Sequence, residues 1–136
     1  AHWPDGIADP GRLVRSVSHL IDIMPTVLDA CNLKAATRIN DKPALPTDGH
    51  SLAAAFGGKT PPDHEMLFFH HNKGRALRLG DWKLVSASGG EWELYDLQKD
   101  PLELVDRAGA EPRRLKEMVA AWKAESKRHA TQAALK

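Results

Sequence analysis

Residues Arg75–Leu97, RALRLGDWKLVSASGGEWELYDL, decide the fold of this chain. Three short runs with strand-like alternation are separated by Gly80-Asp81 and by Ser88-Gly89-Gly90. In the middle run Trp82, Leu84 and Ser86 share one face, and Lys83 and Val85 share the other. In the third, Trp92 and Leu94 oppose Glu93 and Tyr95. Glycine at the two breaks supplies the positive backbone angles that tight hairpins need. The pattern predicts an antiparallel meander with one aromatic-rich face that requires a cover.

Working outward, the apolar run Met66–His71 predicts a further strand, giving four at 66–71, 75–79, 82–86 and 91–96. Beyond the Asp100-Pro101 turn, Leu115, Met118, Val119 and Trp122 fall on one helical face, and Pro112 suits a first helical turn. A helix over 112–127 is the natural cover. Fully burying each of those four side chains is worth about 1.5–3 kcal/mol. From Lys127 the tail KRHATQAALK has no periodic apolar face and is expected to fray.

The first half is less regular. Residues 3–11 hold two prolines and two glycines and predict a loop, and Arg12–Ser18 alternates as a short extended segment. Met24, Val27, Leu28 and Cys31 then form an apolar helical face. Pro25 is tolerated only near a helix start, which places that start at Asp22, with its carboxylate as the cap, and Asn32 as the stop. Lys34–Pro46 reads as a polar loop, Asp48–Leu52 as a turn and Leu52–Phe56 as a short apolar piece. Gly57, Gly58, Pro61 and Pro62 make the clearest break.

Composition bounds the function classes. The chain has 136 residues, 42% hydrophobic and 27% charged, which suits one modest globular fold. Its net charge of +1 gives no field that would draw nucleic acid or anionic membranes, and no apolar run is long enough for a bilayer. Cys31 is the single cysteine, so no internal disulfide can form. Neither a signal-peptide pattern nor a Met opens the chain, and Trp3-Pro4 reads as mid-protein, so a piece of a longer protein is expected.

Chemistry-bearing residues are sparse. Asp63, His64, His70 and His71 are close in sequence, but neighbouring strand residues point to opposite faces, so His70 and His71 are poorly placed to grip one ion. Cys31 sits on the predicted apolar helix face, where a free thiol behaves as a small hydrophobe. No G-x-S-x-G elbow, Walker loop or dinucleotide fingerprint occurs. Asp96 and Asp100 sit in turns, where backbone chemistry explains them. The residues alone assemble no active site.

Several motifs, in order, resemble the C-terminal portion of arylsulfatase-type sulfatases, formylglycine-dependent enzymes of the alkaline-phosphatase superfamily. They are Trp3-Pro4-Asp5-Gly6-Ile7, the run Val17–Leu28 (VSHLIDIMPTVL), Asp48-Gly49-His50-Ser51-Leu52, Met66–His71, Arg78–Val85 (RLGDWKLV), Trp92–Leu97 (WELYDL) and Asp100-Pro101-Leu102-Glu103. The resemblance spans about residues 3–125 and implies an α+β fold. Residues 1–60 would be the tail end of the large α/β catalytic domain. Residues 61–136 would be the C-terminal subdomain, four antiparallel strands plus a helix.

The resemblance also implies a parent that hydrolyses sulfate esters with a formylglycine, made from Cys or Ser in C/S-x-P-x-R, and a calcium ion. Cys31 is followed by Asn32-Leu33-Lys34-Ala35, so that motif is absent, and no catalytic, metal or cofactor residue is carried over. The piece alone is therefore expected to be inactive. Its partners would be the parent's catalytic domain and, in the parent, a sulfated small molecule or glycan. What remains is a pocket rim: His71, which matches a frequent family histidine, with Asn72 and Arg75. A stand-alone interaction module of the same fold is the alternative, and a C/S-x-P-x-R motif upstream would decide against it. Family analogy points to a periplasmic or secreted parent, though no residue here sets a compartment.

Overall fold

Hairpin chemistry builds the sheet as the alternation predicts. The computed structural model describes residues 1–134, which divide into two units, Ala1–His64 and a second from Glu65 onward. In the second unit β3 (Met66–His71), β4 (Gly74–Leu79), β5 (Trp82–Ser86) and β6 (Glu93–Asp96) form an antiparallel sheet in the order β3-β4-β5-β6. The Gly80 turn joins β4 to β5 with φ of 57°, a left-handed angle that glycine adopts without strain.

Register fixes the two faces. Phe68, Leu77, Leu84 and Leu94 lie opposite one another across the four strands, and Leu77, Leu84 and Leu94 are fully buried. The helix α3 (Pro112–Ala133) covers this face through Met118 and Trp122, with Leu115 and Val119 partly buried beside them. The Trp122 indole N–H donates to the carbonyl of Phe69 at 3.2 Å, tying the helix to the edge strand. The other face carries Leu67, Arg78, Lys83 and Tyr95 in one row and Phe69, Ala76, Val85 and Glu93 in the next.

One expectation fails at the end of α3. The helix does not fray at Lys127 but runs on to Ala133. His129 stacks on Phe68 with ring centroids 4.9 Å apart, and Arg128 pairs with Glu125 at 2.7 Å, so tertiary packing carries the tail that lacks an apolar period. Leu135 and Lys136, the last residues of the predicted fraying tail, lie outside the described residues.

In the first unit a single 3-10 turn (Leu20–Asp22) precedes α1 (Ile23–Ala30). The predicted extended segment Arg12–Ser18 forms no strand. Its groups are tied by side chains instead: the Val17 N–H donates to Asp63 at 2.8 Å, and the Arg12 guanidinium donates to the carbonyls of Ala55 and Lys59. α1 ends two residues before Asn32, whose φ of 52° turns the chain. The Leu33 N–H then returns to the Leu28 carbonyl and the Asn32 N–H to that of Asp29, closing the helix end. Cys31 is exposed, contrary to expectation, because the apolar face of α1 buries none of its residues.

The polar stretch expected as a loop contains a small hairpin, β1 (Arg38–Ile39) with β2 (Lys42–Pro43). Asn40 and Asp41, at φ of 48° and 61°, both adopt the left-handed angles of its two-residue turn. The apolar piece before the Gly-Gly break is one helical turn, α2 (Ala53–Phe56). No described helix is long and apolar enough to cross a membrane.

Candidate functional site

The β3–β4 hairpin positions the three residues read as a pocket rim. Its turn is Asn72-Lys73, closed by His71 opposite Gly74. Asn72 takes φ of 54°, an angle its short polar side chain tolerates better than most residues do. The Asn72 amide nitrogen lies 3.2 Å from His71 Nε2. An amide nitrogen can only donate, so in this contact His71 Nε2 is the acceptor. His71 and Asn72 are both exposed and act as one polar unit.

Arg75 does not join them. Its cross-strand partners are His70 and Ser86, which puts it on the helix-covered face, opposite to His71. The guanidinium donates to Ser86 Oγ at 2.7 Å and to the Gly90 carbonyl at 3.1 Å. It also lies 4.4 Å from the Trp92 ring centroid, a cation–π distance. Its Nε is buried with no hydrogen-bond partner. His70, on the same face, meets Trp122 edge-on at 5.4 Å. The two adjacent histidines thus serve different surfaces, as strand alternation requires.

A second polar cluster lies in the first unit, and sequence reasoning gave it only the role of a helix cap. Asp22 is completely buried. Its carboxylate caps no helical N–H of α1. It accepts instead from the His19 N–H at 2.7 Å, the His50 N–H at 2.8 Å and the His64 Nε2 at 2.8 and 2.9 Å. The His50 and His64 rings stack 4.4 Å apart. Burial alone would push the Asp22 carboxyl up. The N–H groups of His50 and His19, with His64, outweigh it and hold Asp22 below its ordinary 3.8. The carboxylate therefore stabilises this unit at neutral pH, and that support is lost as pH falls through the depressed value. The Thr26 hydroxyl donates to the Asp22 carbonyl at 2.6 Å and accepts the Leu52 N–H at 2.8 Å. A carboxylate orienting an imidazole can serve a nucleophile, but His64 Nε2 is turned to Asp22 and no Ser, Thr or Cys is bonded to the ring among the described contacts. The arrangement is a clasp that gathers three segments.

Among the described residues no three His, Cys, Asp or Glu side chains converge as a metal site.

Comparison with known proteins decides the relationship. No family model matches the chain. It is 32% identical over 121 residues to arylsulfatase K of Rattus norvegicus and 29% identical over 123 residues to that of Xenopus laevis. Those matches cover 79% and 80% of this chain. This is a sulfatase-type C-terminal portion. It spans about a fifth of the relatives' length, 21% and 22%. The same fold occurs in Ps i-CgsB, with a TM-score of 0.68 at 21% identity over 92% of this chain and 27% of that one. That protein is also known in complex with k-i-k-neocarrahexaose. A further structure, bound to its substrate D-glucosamine-2-N,6-O-disulfate, has a TM-score of 0.58 at 24% identity over 81% of this chain and 24% of that one. The sulfatase-type portion shares with them its mixed α+β architecture, a four-stranded antiparallel sheet and a C-terminal helix.

Proposed function

We propose that the parent protein is a sulfuric ester hydrolase acting on a sulfated saccharide, and that this portion supplies structure and part of the substrate-pocket rim. The observation that carries the proposal is the 32% identity to arylsulfatase K over 79% of the chain. The saccharide class is supported by the neighbours' ligands, glucosamine disulfate and neocarrahexaose. Formylglycine and calcium would belong to residues outside this chain, so the portion alone is inactive.

Residues 1–60 are proposed as the tail of the large catalytic domain. Leu20, Ile23, Met24 and Val27, spaced as one helical stripe, are each more than half exposed, which a stripe packed on the remaining domain would not be. In residues 61–136, the C-terminal subdomain, His71 and Asn72 form the proposed substrate contact. Arg75 enters differently. Its Nη2 group faces Ser86 and Gly90 on the helix-covered face, so in this reading Arg75 shapes the sheet beneath the hairpin.

The test is His71→Ala in the full-length enzyme, assayed on a sulfated saccharide and on a small aryl sulfate. A contact to the leaving group that is equal in ground and transition states acts on KM. KM for the saccharide should rise while kcat holds. Unchanged kinetics on both substrates, with an unchanged melting temperature, would remove His71 from the rim.

A further inference from the structure

We infer that the outer ridge of α3 is a binding surface for a sulfated polysaccharide chain. The inference rests on the saccharide reading above and adds a surface that favours a polymer over a single sugar. Arg113, Lys116, Ala120, Lys123 and Lys127 are spaced three and four residues apart in turn, so they form one stripe along the helix. All five are exposed, on the side of α3 turned away from the buried Met118 and Trp122. From Arg113 to Lys127 the stripe rises about 21 Å, at about 1.5 Å per residue. No single sugar reaches that far, so the ligand it matches is a chain bearing several sulfates.

An ordinary solvent face interleaves acids with its cations, and this one does not. Lys116, Lys123 and Lys127 have no acidic residue three or four positions away on either side. Arg113 has Glu117 one turn on, yet no ion pair joins them among the described contacts. The other helix cations are engaged elsewhere: Arg114 lies over the Trp82 ring at 4.4 Å, and Arg128 pairs with Glu125 at 2.7 Å. Like charges at these spacings destabilise a helix, and Arg113 also opposes the positive end of its dipole. Helix stability gives no reason for the pattern, whereas a row of sulfates does, since each neutralised charge releases counterions. No aromatic or large apolar side chain lies within the stripe, so it serves neither base stacking nor insertion into a lipid surface. Packing through Met118 and Trp122 already orders the backbone that spaces the cations, which lowers the cost of binding.

The experiment uses the full-length protein as wild type, as the combined variant Lys116→Gln, Lys123→Gln and Lys127→Gln, and with the same positions changed to Arg. Gln and Arg are both good helix formers at exposed positions, so melting temperatures should match. A fluorescent heparin fragment long enough to span α3 is titrated at several salt concentrations. With Gln, affinity at low salt should fall at least about tenfold, and the slope of log K against log salt should shrink by about two. With Arg, both should hold. Turnover of a sulfated disaccharide, too short to span the stripe, should be unchanged in all three. Unchanged affinity and slope in the Gln variant overturn the ridge. So does equal binding of desulfated heparin, or tighter binding of duplex DNA or phosphatidylserine vesicles, which would make the partner a nucleic acid or a membrane. Should wild type turn over no sulfated saccharide, the substrate reading falls and this inference with it. Turnover by wild type with heparin binding indifferent to the three lysines sinks the ridge alone.

Discussion

Tyr95 donates its phenolic proton to Glu93 at 2.7 Å, two residues away on the same face of β6. That bond, then burial and the charge of Glu93, raises the phenol from 10.0 to about 12. A group held protonated above its unfolded value stabilises the fold below that value, and the support is lost as pH rises through about 12. Tyr95 is the only tyrosine, so the phenolate absorbance reports it alone. The midpoint should lie near 12 and move toward 10 in Glu93→Gln. A wild-type midpoint near 10 would show that the contact does not exist in solution. This pair was in principle legible, because residues two apart on a strand share a face. Asp22 was not. A lone Asp before a helix is usually a cap, and its real partners, His50 and His64, lie 28 and 42 residues away. No local pattern encodes a contact at that separation.

At the scale of elements, alternation and turn residues placed all four strands, because each strand has one buried face and a slip of one residue would expose it. The helix face was equally readable, since Met118 and Trp122 recur at the helical period. Its length was not readable, as the stack of His129 on Phe68 joins residues far apart in the chain. Nor did the apolar stripe of α1 predict burial, because periodicity shows that a face seeks a cover and does not say which chain supplies it. The packing argument is sharpest at Trp122, which touches Phe68, His70 and Trp92 and bonds the Phe69 carbonyl. Trp122→Ala removes the ring and its hydrogen bond to that carbonyl. The loss should be about 3–5 kcal/mol, as for other large-to-small core changes, read as a lower denaturation midpoint by circular dichroism. An unchanged midpoint would mean that α3 is not the cover of the sheet.

For the whole molecule, the division of labour follows from what each part carries. The sheet and α3 form a core of Leu77, Leu84, Leu94, Met118 and Trp122 within the second unit. The first unit gathers its own segments on Asp22 and leaves the stripe of α1 open. The nucleophile is a different matter. The one cysteine, Cys31, is exposed at the end of α1 and followed by Asn32-Leu33-Lys34-Ala35, with no proline or arginine at the positions that formylglycine formation requires. In the clasp, His64 Nε2 is bonded to Asp22 and no Ser, Thr or Cys is bonded to the ring among the described contacts. Sulfate-ester hydrolysis needs both an activated nucleophile and a means of stabilising charge on the leaving oxygen. On this reasoning the 136-residue chain should hydrolyse no aryl sulfate, with calcium or with a chelator, at any enzyme concentration that keeps it folded. Turnover above a heat-killed control that a chelator abolishes would place a metal-dependent site within these residues. Folding must be checked by circular dichroism in the same samples, so that silence reports missing chemistry and not a missing fold.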